Sequence, residues 1–173
     1  DQYSTRVNRI DYDDCELATI SDNLQMFYTG IARSSSDILS EQAKNLQTKS
    51  TSVQMIENVK IAQQLTIELA NNNYSAISKA LQDNWKLKKE FSSNISNNEI
   101  DKMIEVAMHS GASGAKVTGA GGGGFLLFHV PVHRSAELIG AMKLEFPDVT
   151  HMPMKIDKYG TRVLLNTEEY QWG

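Results

Sequence analysis

The chain has 173 residues, with 17 Lys plus Arg against 21 Asp plus Glu, so its formal charge is −4. A pI of about 5.6 speaks against general nucleic-acid binding, which needs clustered cations, and no run of about 18 apolar residues offers a membrane span. No amino-terminal segment combines a basic start with an apolar centre, and Cys15 is the single cysteine, so no internal disulfide forms and a reduced cytoplasm is the expected compartment.

In chain order, Tyr3 to Tyr12 carries Val7 and Ile10 among polar residues and reads as a short strand. Leu24, Met26, Phe27 and Tyr28, ended by Gly30, read as a buried strand. Ser36 is a plausible N-cap for a helix that runs through Ile38 and Leu39. A second helix is expected from Thr51 or Ser52, with Met55, Val59, Ala62, Leu65 and Leu69 on one stripe. Asn71, Asn72 and Asn73 break it, because Asn competes for backbone hydrogen bonds and tolerates left-handed conformations. A third helix begins near Ser75, with Ile77, Leu81 and Trp85 on one side and Lys86, Lys88 and Lys89 largely on others, a cluster read as a solvated helix face in preference to a phosphate site. Asn97 or Asn98 caps a fourth, whose Ile100, Met103, Ile104, Ala107 and Met108 share a face.

Seven of the 11 glycines lie between Gly111 and Gly124, and all three prolines follow them. The run Phe125–Val130 beyond is a strand closed by Pro131. Ser135 to Phe146 reads as an amphipathic helix. Val149 to Ile156 and Arg162 to Leu165, around Lys158-Tyr159-Gly160, read as a closing hairpin. These elements describe an α+β chain, a small sheet packed with several helices.

Gly121 to Gly124 cannot serve helix or strand stability, since each glycine costs roughly 0.5 to 1 kcal/mol relative to Ala inside such an element. Bare backbone lets N–H groups converge on an anion and lets another chain segment come close. Gly119, Gly121 and Gly124 match the dinucleotide pattern G-x-G-x-x-G, but that pattern needs a strand before and a helix after. Here a helix is expected before and a strand after. A Walker loop fails because Ala120 stands where its lysine belongs. A tight turn that serves only geometry stays open as the plainer reading.

The segment Gly111 to Phe128, centred on Lys116-Val-Thr-Gly-Ala-Gly-Gly-Gly-Gly124, resembles the third conserved motif of the GHMP small-molecule kinases. Phe27-Tyr-Thr-Gly-Ile-Ala-Arg-Ser34, Trp85-Lys-Leu-Lys-Lys89 and Ile95-Ser-Asn97 leading to Ile100-Asp101 support the resemblance in order and spacing. Within that superfamily the heptose 7-phosphate kinase branch is the most similar.

The resemblance implies a carboxy-terminal, ferredoxin-like kinase domain over residues 1–173, with 1–22 either part of it or the tail of an amino-terminal domain. That other domain would hold ATP and Mg²⁺, since no P-x-x-x-G-L-x-S-S loop is present; Gly30 to Ser36 imitates one but lacks the upstream proline. The substrate implied is a sugar phosphate. Asp1, in Asp1-Gln2-Tyr3, is either the catalytic aspartate of a G-x-x-D-Q-Y/F motif or a chance match. Lys116, Thr118, Gly119, Gly121, Gly122, Gly123 and Gly124 are implied as the phosphate loop, with Lys116 otherwise a solvated lysine and Thr118 a strand former. Arg33 and Gly30 are implied near the substrate, a guanidinium being suited to anchor a phosphate. His109, His129, His133 and His151 form no metal constellation, because Pro131 interrupts any helical pairing of His129 with His133. A fucokinase-like enzyme and a non-catalytic binding or dimerisation module of the same fold remain the alternatives.

Overall fold

The computed structural model describes residues 10–31, 49–91, 95–119 and 121–159. Within them are helices α1 (Asp14–Asp22), α2 (Lys49–Ala70), α3 (Ala76–Phe91), α4 (Asn98–His109) and α5 (Ser135–Glu145). The strands are β1 (Leu24–Tyr28), β2 (Gly114–Val117), β3 (Phe125–His129) and β4 (Thr150–Met152), with a 3₁₀ turn at Val132–Arg134. The sheet order is β2-β3-β1-β4 and every pairing is antiparallel. This is the split β-α-β topology of ferredoxin-like folds, here with α2, α3 and α4 all inserted between β1 and β2. The α+β reading therefore holds.

Local chemistry explains several boundaries. Asp13 starts α1 with a capping box: Glu16 N–H donates to Asp13 Oδ1 and Asp13 N–H to Glu16 Oε2, both at 2.8 Å. α2 ends in the Asn run, where Asn72 takes a positive φ of 59°. Asn97 caps α4 through a 2.9 Å bond accepted from Ile100 N–H.

Strand alternation divides the apolar residues between two faces. Phe27, Ala115, Val117, Leu126 and Phe128 join Ile100, Met103 and Ala107 of α4 and Leu138 and Met142 of α5 in the main core. Leu24 and Leu127 join Ile20, Ile77, Leu65 and Leu69 in a second cluster.

The structure corrects several expectations. Helix α1 was not anticipated, and residues 10–12, the described end of the expected first strand, are irregular. The expected helix after Ser36 and the second arm of the closing hairpin lie outside the described residues. The α2 stripe divides: Leu65 and Leu69 pack on the second cluster, whereas Met55 and Val59 are 48% and 55% exposed. Strand β2 was missed, so the glycine segment is not a helix-to-strand turn; it is the connection of a β2–β3 hairpin. A strand does precede Gly119 after all, but β3 follows where a dinucleotide site needs a helix.

Candidate functional site

The connection from Val117 to Phe125 leaves the edge of the sheet and folds back against two other segments. At its base Thr118 closes the hairpin, its N–H donating to Phe125 O at 2.8 Å and its hydroxyl to the same oxygen at 3.2 Å. Thr29, buried just past β1, donates to Gly124 O from its N–H at 2.8 Å and its hydroxyl at 3.0 Å. Gly124 N–H donates to Ile31 O at 3.0 Å, and Gly122 N–H to Ile95 O at 2.7 Å. The three separated stretches Thr29–Ile31, Ile95–Asn97 and Gly119–Gly124 thus meet at one place.

Glycine is required there for different reasons. A Cβ on Gly123 would lie 2.4 Å from Ile31 O, a backbone atom that cannot swing away. Gly122 has φ +74°, a conformation that L side chains rarely adopt. No acceptor among the described residues takes the N–H of Gly121 or Gly123, although Gly123 is buried. Unpartnered N–H groups at such a turn are donors that a bound anion satisfies.

Two lysines border the loop. Lys116 projects from β2 on the face opposite Ala115 and Val117, where its ammonium donates to Asn84 Oδ1 of α3. Asn84 is held in turn by its own amide, which donates to Asn58 Oδ1 at 2.6 Å. Lys88, one turn further along α3, donates to Val117 O at 3.4 Å and to Gly119 O. Burial pushes the Lys88 ammonium down to about 8, helped by the like charge of Lys116, and burial lowers Lys116 as well. Neither lysine has an acidic partner among the described residues. Two half-buried cations, close enough for Lys116 to depress Lys88, border a loop with N–H groups that take no acceptor among the described residues, an arrangement suited to a multiply charged anion.

Of the residues expected from sequence, Gly30, Lys116, Thr118, Gly119 and Gly121 to Gly124 come together here. Asp1 and Arg33 lie outside the described residues. Lys88 corrects the expectation of a solvated α3 face: Lys86 and Lys89 are exposed, but Lys88 turns to the loop. Its signal was available, because Lys88 falls three residues after buried Trp85 on the inward stripe. Thr29, Ile95 and Asn97 were also missed as loop anchors. Asn97 both caps α4 and donates to Gly122 O at 3.5 Å.

The histidines play other parts: His129 is buried beside Ser113, His151 bonds Gln25 at 2.8 Å, and His109 lies 2.9 Å from Glu105 O. No group of three or more His, Cys, Asp or Glu among the described residues is placed to hold a metal. No helix among them is long and apolar enough to cross a membrane.

Residues 65–145 match the family described as GHMP kinases C terminal, a span that takes in α3, α4, the whole β2–β3 hairpin and α5. Over that span the chain is similar to the C-terminal domains of GHMP kinases. Among particular relatives, it is 29% identical over 121 residues to the D-glycero-alpha-D-manno-heptose 7-phosphate kinase of Campylobacter jejuni, a match covering 69% of this chain and 35% of that protein. A putative sugar kinase from Campylobacter jejuni has the same fold, with TM-score 0.63 and 20% identity over 90% of this chain and 43% of its own. So does L. major mevalonate kinase, solved with R-mevalonate, with TM-score 0.64 and 19% identity over 74% of this chain and 40% of its own. The chain thus spans well under half the length of these relatives.

Proposed function

We propose that this chain is the C-terminal part of an ATP-dependent sugar kinase that phosphorylates the anomeric hydroxyl of D-glycero-D-manno-heptose 7-phosphate in the cytoplasm. The observation that carries this reading is the glycine loop, in which the N–H groups of Gly121 and Gly123 take no acceptor among the described residues, bordered at its entry by Lys88 and on β2 by Lys116, with no carboxylate among the described residues to neutralise them. Phosphoryl transfer asks little covalent chemistry of the protein and much electrostatic positioning. The heptose 7-phosphate kinase relative supports the choice of sugar.

In this reading ATP, held with Mg²⁺ mainly by an amino-terminal domain, supplies the γ-phosphoryl group. The loop amides and Lys116 offset charge on the phosphate oxygens as the anomeric oxygen attacks and the bond to ADP breaks. Asp1 takes the proton of the anomeric hydroxyl, and Arg33 anchors the 7-phosphate. Backbone donors suit this role because their position does not depend on side-chain rotamers.

The test is ADP release by the full-length protein supplied with MgATP and a panel of sugars. Heptose 7-phosphate is expected to be the preferred acceptor. Gly123→Ala, which forces the loop off Ile31 O, is expected to lower kcat/KM by on the order of 10²- to 10³-fold, as loss of one preorganised donor does. Asp1→Asn is expected to abolish turnover. Preference for fucose would replace the substrate, and no ADP release with any sugar would leave a binding or dimerisation module.

A further inference from the structure

We infer that Lys88 is a positioning residue for the glycine loop, its ammonium fixing the loop entry by holding the carbonyls of Val117 and Gly119. This deepens the kinase reading and rests on it for the identity of the bound anion.

The two ends of the loop are held differently. Its exit is fastened by main chain: Gly122 to Ile95, Gly124 to Ile31, and Thr29 to Gly124. There Gly123 packs so closely on Ile31 that a methyl group has no room. Beyond Thr118 the entry has no such packing. Among the described residues nothing lies within 4 Å of where a Cβ on Gly119 would be; the same holds for Gly124, but Gly124 is tied by backbone bonds to Ile31 and Thr29. What reaches Gly119 is the Lys88 side chain, which crosses from α3 to bond carbonyls on both sides of Thr118. Among the described residues, one ammonium therefore does beyond Thr118 what several backbone bonds and a tight contact do for the exit.

A neutral side chain could fill the same space, so the charge needs a reason. An ammonium donates up to three hydrogen bonds and pulls carbonyl oxygens toward itself. The charged group facing it is Lys116 from β2, and Asn84, its neighbour one turn back on α3, is neutral. Burial and Lys116 both oppose the charge, which is kept at neutral pH despite them. As pH rises through about 8 the ammonium loses its proton, and the hold on Val117 and Gly119 weakens from charge-assisted to ordinary.

The experiment labels the full-length protein with ¹³Cα-glycine and follows the signals of Gly119, Gly121, Gly122, Gly123 and Gly124 from pH 6.5 to 9.5, without substrate. In the unaltered protein these signals are expected to titrate with a midpoint near 8. Lys88→Arg is expected to keep the low-pH signal positions at every pH, since guanidinium does not titrate there, and to retain the KM for ATP. Lys88→Met is expected to give shifted, pH-independent loop signals and a KM for ATP raised about tenfold, the loss of one charge-assisted hydrogen bond. A midpoint near 8 that persists in Lys88→Arg would overturn the inference. So would a Lys88→Met protein whose glycine signals and KM match the parent. The titration needs no turnover: if it behaves as expected in a protein that never releases ADP, the kinase reading fails and the loop-positioning role stands.

Discussion

His129 shows how much one residue's setting can differ from its type. At the end of β3 it faces away from the main core, 7% exposed, with its ring Nδ1 2.8 Å from the Ser113 hydroxyl. Ser113 O in turn accepts from Ser78 at 2.6 Å and from Gln82, so the imidazole belongs to a polar knot that ties α3 to the start of β2. Burial holds its pKa below the ordinary 6.5. The unfolded chain then binds a proton near pH 6.5 that the folded chain still refuses, so stability falls as pH drops below that value. Half-buried His151, also lowered mainly by burial, adds in the same direction. Melting temperature should therefore decrease between pH 7 and pH 5.5, with a shallower decrease in His129→Gln; parallel curves for the two proteins would show that His129 does not carry the effect.

At the level of elements, Asn97 couples a helix to the loop. Its carbonyl oxygen caps α4 and its amide reaches Gly122 O. Asn97→Ala should lose about 1 kcal/mol of unfolding free energy, the usual cost of an N-cap. Asn97→Asp preserves the cap but replaces the donor with an acceptor facing a carbonyl. Urea unfolding should find it near parental stability while, on the proposed kinase reading, the kcat/KM of the full-length protein falls, and a kcat/KM that tracked stability in both variants would reduce Asn97 to a cap. The same scale separates what was legible from what was not. α2, α3, α4, α5, β1 and β3 carry their own periodicity, caps or apolar runs, and they lie within a few residues of where the pattern puts them. β2 does not. Gly114-Ala-Lys-Val117 is four residues long and begins with glycine, and it becomes a strand by pairing with β3 in the register Ala115–Phe128 and Val117–Leu126.

For the molecule as a whole, the sheet is a partition with Phe128 at its centre. Phe128 is fully buried on a central strand and meets Phe27 edge-to-face at 5.7 Å, with α4 and α5 packed over the same face. Phe128→Ala should cost about 3 to 5 kcal/mol in denaturant unfolding, since the surrounding helices cannot collapse fully into the space. A loss below about 1 kcal/mol would mean that this face is less tightly packed than it looks. The partition also places the candidate site. Among the described strands β2 lies at the edge, so the β2–β3 connection projects from that margin, where Thr29 at the end of β1, Ile95 before α4 and Lys88 on α3 all reach it.

The amino-acid sequence by itself determined the class of fold, most of the elements and the loop that matters, because periodicity, capping and a run of four glycines are written within short spans. It also carried the family resemblance, which depends on the order of such spans. Tertiary structure decided what holds the loop and which lysine serves it. Lys88 and Gly119 are 31 residues apart, and nothing near Lys88 in the chain distinguishes it from Lys86 or Lys89 except its place on the Trp85 stripe. Burial, a depressed pKa and carbonyl partners arise when α3 packs on the edge of the sheet. They are properties of that packing and belong to no local stretch.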